Sequence, residues 1–141
     1  MAYVTQAELV LRFGQTELAQ LTDRDGTAGA IVSSVLDSAI ADAGAIIDAH
    51  LEPAGYTVPI SPIPAVIVRI AADLARYFLY ALGGVEDKDA PWVKRYNDAV
   101  RLLEKIMSGD VLLGVGVTGT AGTPDFRAPE RIFSRDDIEG F

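Results

Sequence analysis

The sequence predicts an all-α protein, a small helical bundle of about four main helices followed by an extended, glycine-rich C-terminal arm. Three observations predict it. Apolar residues recur at helical spacing through three long stretches, about residues 28–51, 65–82 and 92–107. Pro53, Pro59, Pro62 and Pro64, then the Gly83-Gly84 pair and Pro91, fall between those stretches. After Gly109 the composition changes, and glycine, threonine and proline dominate as far as Pro129. The chain has 141 residues, half of them apolar, which is room for one compact domain with a real core. The expected division is a bundle domain over residues 1–109 and a docking arm over residues 110–141.

The elements follow in order. Thr5 and Glu8 have the spacing of a capping box, so a short helix starts at Gln6, runs to Phe13 and meets Gly14. A second short helical stretch, Gln15 to Leu21, precedes a turn at Asp23–Gly26. A long helix is expected from about Ala28 to Leu51. At 100° per residue its apolar arc holds Val32, Val35, Leu36, Ala39, Ile40, Ala43, Ile46, Ile47 and Leu51. The four prolines of residues 53–64 make an extended connector, because proline lacks an amide hydrogen and fixes φ. Ser61 or a near neighbour is expected to cap the next helix, with proline in its first turn. That helix, about Ala65 to Leu82, is apolar nearly all round and therefore central. Its polar stripe is Arg69, Asp73 and Arg76, and Asp73 lies within i±4 reach of both arginines. Pro91 opens the last helix, Trp92 to Met107. Arg95 sits at the edge of its apolar arc, so a partner carboxylate is expected, though the sequence does not identify it. The expected core includes Leu36, Ile40, Ile47, Ile70, Leu74, Phe78, Tyr96, Leu103 and Ile106. Val111 to Val117 is a candidate short strand.

Composition excludes several functions. There is no cysteine, hence no disulfide and no thiolate metal site, and the single histidine, His50, rules out a histidine cluster. The stretch 65–82 carries three charges and does not read as a membrane span. Met-Ala-Tyr-Val-Thr has neither a basic run nor a following apolar region, so no signal peptide is expected. A net charge of −8 argues against tight nucleic-acid binding, which needs clustered Lys and Arg, but not against enclosing DNA without gripping it. The charge is uneven. No Lys or Arg lies between Asp25 and Val68, while Asp25, Asp37, Asp42, Asp48 and Glu52 do; Lys88, Lys94, Arg95, Arg101 and Lys105 follow later. Ordinary solvated faces account for this pattern. So does a meeting of acidic and basic faces between subunits.

Motifs of catalysis or cofactor binding fail on context. Gly114 to Gly119 matches G-x-G-x-x-G, but the glycines run into Thr-Ala-Gly-Thr-Pro, where no helix can start to face a pyrophosphate. Asp23-Arg-Asp-Gly resembles part of a calcium loop, yet position twelve falls on Val32 or Ser34 rather than glutamate. Residues 5–22 have the shape of a helix-turn-helix but offer one basic residue, Arg12, against Glu8 and Glu17. His50 has no nearby nucleophile and reads as a partly buried helix residue. The chain is expected not to be an enzyme and to need no cofactor or metal.

The residues also resemble a family. Met-Ala-Tyr-Val-Thr, with Tyr3 and the helix started by Thr5, opens the pattern. Tyr56 to Ile60 and Pro64 continue it, then Ala72 to Tyr77 (Ala-Asp-Leu-Ala-Arg-Tyr), Arg95 to Ala99, Leu103 to Ile106 and Gly109, with Arg131 to Arg135 and Gly140 at the end. In order and spacing these resemble the Mu-like bacteriophage head–tail connector, or adaptor, proteins, long known only as conserved phage proteins. The resemblance covers nearly the whole chain. It implies a helical structural protein of the virion that completes the head: it binds below the portal, forms a ring, extends the DNA channel and joins head to tail. The implied partners are the portal protein, neck and tail-completion proteins, and copies of itself. The ring would be a dodecamer in the virion, its subunits monomeric when isolated. DNA would pass without sequence-specific contact, and no membrane is involved. The protein would sit in the host cytoplasm during assembly and at the head–tail junction afterwards. The family carries no catalytic residues. On this view Ser34, Asp37, Ala41 and Asp48 are the candidate channel face. Arg131, Ile132, Phe133, Arg135, Ile138 and Phe141 are the candidate docking arm. The alternative is a small helical phage regulatory or interaction protein whose N-terminal helix pair binds DNA or a partner.

Overall fold

The computed structural model describes residues 2–84 and 87–116. These form five helices: α1 (Gln6–Phe13), α2 (Gln15–Thr22), α3 (Ser33–Leu51), α4 (Ala65–Leu82) and α5 (Pro91–Met107). The protein is all-α, as the periodicity predicts. The core lies where α3 crosses α4 and where α5 closes on both, with α1 and α2 packed across one side.

The capping box forms. Thr5 Oγ1 accepts from the Glu8 amide at 3.3 Å, and the Glu8 carboxylate accepts from the Thr5 amide at 2.9 Å. Gly14 ends α1 and starts α2 at φ 88°, a conformation that side-chain-bearing residues rarely adopt. A single residue therefore turns the chain between two helices.

The long helix begins later than its periodicity indicates, at Ser33 instead of about Ala28. The cause is the side chain of Asp23. Its carboxylate accepts the amides of Thr27 (3.1 Å), Ala28 (3.1 Å) and Gly29 (2.7 Å), which holds these residues in a loop. Gly26 and Gly29 sit at φ 65° and 62°. The buried Thr22 hydroxyl closes the loop base, donating to the Leu18 carbonyl at 2.7 Å and accepting from the Val32 amide at 3.0 Å.

Ser61 does not cap α4. Pro64 is the N-cap residue, with no side-chain cap, and its carbonyl accepts from Ile67 and Val68 at 2.9 and 3.2 Å. A proline just outside the helix loses nothing by lacking an amide hydrogen. The connector before it is partly internal, since Tyr56 and Ile60 are buried. Pro91 occupies the first turn of α5.

Leu36, Ile40, Ile47, Ile70, Leu74, Leu103 and Ile106 are buried as expected. Phe78 and Tyr96 are only half-buried. They belong to an aromatic seam between α4 and α5. Tyr77 stacks on Tyr96 with centroids 3.9 Å apart, and Phe78 meets both edge-on. Rings this large fill the edge of the helix pair without reaching its centre.

No strand forms among the described residues, so the strand expected at 111–117 is not found as far as Gly116. The segment bends at Val111, Gly114 and Val115, and its burial alternates: Val111, Leu113 and Val115 pack on the bundle, while Leu112 is exposed. The Val111 amide donates to the Lys105 carbonyl at 3.2 Å, and the Leu113 amide donates to the Tyr56 hydroxyl at 3.2 Å. Its neighbour is a helical bundle with no free strand edge, so the period-two pattern is met without a ladder.

Candidate functional site

The candidate channel face divides in two. Ser34, Asp37 and Ala41 lie exposed on α3. Asp48 is half-buried and accepts a hydrogen bond from the Tyr3 hydroxyl. That hydroxyl also accepts the Ile60 amide at 3.2 Å, so Asp48 belongs to an internal tie between the N-terminus, α3 and the connector. Burial, and then the Asp48 carboxylate, push the Tyr3 hydroxyl up to about 12. Asp37 and Asp42 are exposed and make no ion pair among the described residues. The α3 surface is therefore acidic and uncompensated. The six residues of the candidate docking arm, Arg131, Ile132, Phe133, Arg135, Ile138 and Phe141, lie outside the described residues.

A second cluster gathers where α1, α4 and α5 meet. Asp73 is almost fully buried on α4, with Arg69 Nε at 3.9 Å and Arg95 at 3.8 Å. Arg95 thus finds its carboxylate across the α4–α5 seam. Burial raises the Asp73 pKa above its usual value, while Arg95 and then Arg69 pull it back. Arg12 and Phe13 of α1 complete the wall of a small recess of about 230 Å³ around these groups. Arg76 does not share Asp73. It turns to Glu17 of α2, with an ion pair of 2.7 Å, and Tyr80 donates to the same carboxylate at 3.0 Å. The guanidinium also lies over the Phe13 ring, 4.6 Å from its centroid. Sequence spacing assigns Arg76 to Asp73 because it sees neighbours on one helix only. The role of Glu17 depends on how α2 packs, which no local pattern encodes.

The remaining motifs resolve simply. His50 is part-buried, and its Nδ1 lies 2.8 Å from the Ile46 carbonyl, to which it donates. Asp23 binds the amides of its own loop, and those bonds, Gly29's first, hold its carboxyl below the usual range. Gly114 to Gly116 is coil against the bundle, and Gly119 lies outside the described residues. Among the described residues no group of three or more His, Cys, Asp or Glu side chains could hold a metal ion. No described helix is long and apolar enough to cross a membrane.

These features define an all-α protein with an exposed acidic face on α3 and an arginine-rich recess around Asp73. The chain belongs to the bacteriophage Mu Gp36 family, whose model matches residues 3–128. It is similar to gene product J of Escherichia phage Mu, 31% identical over 125 residues that cover 89% of this chain and 84% of that protein. It is also similar to the Mu-like prophage FluMu protein gp36 of Haemophilus influenzae, 29% identical over 113 residues, 80% of this chain and 76% of that one. It is therefore a protein of the Mu-like phage and prophage kind, as the residue resemblance implies.

Proposed function

We propose that the chain is a head–tail connector subunit, a structural and non-catalytic part of the virion that binds below the portal, forms a ring and extends the DNA channel. The observation that carries this reading is the α3 surface. Ser34, Asp37 and Ala41 give an exposed face of small and acidic residues without a compensating cation. Such a face repels phosphate and lets DNA slide past. The nearly all-helical mass below it suits a rigid ring. Residues 110–141 would act as the arm that grips the portal or the next ring.

The test is genetic. Deleting the gene from an inducible Mu-like prophage should yield separate DNA-filled heads and free tails in electron micrographs, and supplying the chain in trans should restore joined particles. Intact particles from the deletion would overturn the reading. The shape of α1–Gly14–α2 keeps one alternative, a small regulator reading DNA with its helix pair. Salt-dependent retardation of duplex DNA by the purified chain would support that alternative instead.

A further inference from the structure

Three arginines, Arg12, Arg69 and Arg95, line one recess together with Phe13 and the single carboxylate of Asp73. Asp73 is shared between Arg69 and Arg95 at 3.9 and 3.8 Å, beyond hydrogen-bonding distance. Arg12 makes no ion pair among the described residues. Arg12, Arg69 and Arg95 are all exposed, so their donors face outward and the recess carries two positive charges more than Asp73 neutralises. Arg76, by contrast, is paired closely with Glu17 at 2.7 Å. Guanidinium groups arranged like this suit a second carboxylate, which they bind through forked, charge-assisted hydrogen bonds.

The chain carries a fitting carboxylate on its opposite charge face. Asp42 is exposed on α3 and unpaired among the described residues. Its same-face neighbours at i−4, i+3 and i+7 are Ser38, Ala45 and Ala49, all small and all exposed. The carboxylate therefore stands clear of the helix and can enter a recess. Ala41 and Asp42 leave α3 about 100° apart, so Asp42 points away from the Ser34–Ala41 line. It is turned to the side of a subunit whose Ser34, Asp37 and Ala41 face a channel.

We propose that the Arg12–Arg69–Arg95 recess receives Asp42 of a second copy of this chain, as the lateral contact of the ring. The contact joins two different patches, so each subunit offers one recess and one acid, and repetition gives a ring when the rotation between neighbours closes. The inference rests on the connector reading and adds the residues that join its subunits.

Sedimentation velocity of the full chain at rising concentration, at low and high salt and with portal rings present, tests it. The wild-type chain should associate more weakly as salt rises. Arg12→Glu/Arg69→Glu and Asp42→Lys should each weaken association at least tenfold while keeping the wild-type circular dichroism melt. Mixing the two variants should restore it, because each supplies what the other lacks. Should the glutamate pair disturb folding, Arg12→Gln/Arg69→Gln should give the same direction more weakly. Unchanged assembly of the arginine variants would overturn the inference and leave the connector reading standing. So would failure of the mixture to recover, or duplex DNA binding abolished by the same arginine changes, which would make phosphate the occupant. A wild-type chain that stays monomeric at every concentration and beside the portal would overturn both.

Discussion

The Tyr3 hydroxyl donates to the Asp48 carboxylate and accepts the Ile60 amide, so one atom joins the N-terminal segment, α3 and the proline connector. Tyr3 is buried. Tyr3→Phe keeps the ring and removes both bonds, leaving the Ile60 amide without this acceptor. The expected loss is about 1–3 kcal/mol in denaturant melts. A loss under half that range would show that the tie is not structural.

The same hydroxyl predicts a pH dependence. Its folded-state value of about 12 lies above the ordinary 10.0, so the unfolded chain releases the proton first. The contribution is whole below pH 10 and is lost as pH rises towards 12. Denaturant melts between pH 9 and 12 should therefore fall more steeply for the wild-type chain than for Tyr3→Phe. Parallel slopes would rule out Tyr3 as the source.

Leu74 is fully buried at the centre of α4. Leu74→Ala should cost about 2–5 kcal/mol, the transfer of the lost atoms plus a cavity. Chemical denaturation measures it directly, and a cost below half a kilocalorie would contradict the central position of α4.

Arg76 and Glu17 join α4 to α2 at 2.7 Å, both largely shielded from solvent. Glu17→Gln leaves a shielded guanidinium without its counter-charge and should destabilise by about 1–3 kcal/mol. A double-mutant cycle with Arg76→Met isolates the coupling. Additive single effects would mean that the pair contributes nothing beyond packing.

Truncations separate the near part of the arm from the rest. Val111, Leu113 and Val115 pack on the bundle, and Leu113 bonds Tyr56. Ending the chain after Gly109 removes these contacts and should cost about 1–3 kcal/mol. Ending it after Gly116 should leave the melting temperature within about 2 °C, yet abolish joining to the portal. Undiminished joining by the shorter chains would defeat the arm hypothesis.

What the sequence made legible follows from range. The starts of α1 and α5 are written locally, in Thr5, Glu8 and Pro91, and the ends of α1 and α4 in Gly14 and Gly83. The buried arcs of α3, α4 and α5 follow from period alone. The start of α3 was hidden because Asp23 reaches six residues forward to Gly29. Arg95 announced a partner without naming it, since Asp73 sits on another helix. Asp48 looked free on its helix face because Tyr3 lies 45 residues away. Alternation in Val111 to Val115 signals one covered side, and it does not say whether a strand or a bundle does the covering.

The Asp23 loop has a practical consequence. Residues 24–30 are exposed, and the loop is closed by Asp23 and Thr22 rather than by contacts of its outer residues. The chain has no cysteine. A single cysteine at Asp25 would therefore accept one fluorophore per subunit away from the Arg12 recess and the Tyr56 contact. On the connector reading, counting photobleaching steps on particles that carry it would give the number of copies in each virion.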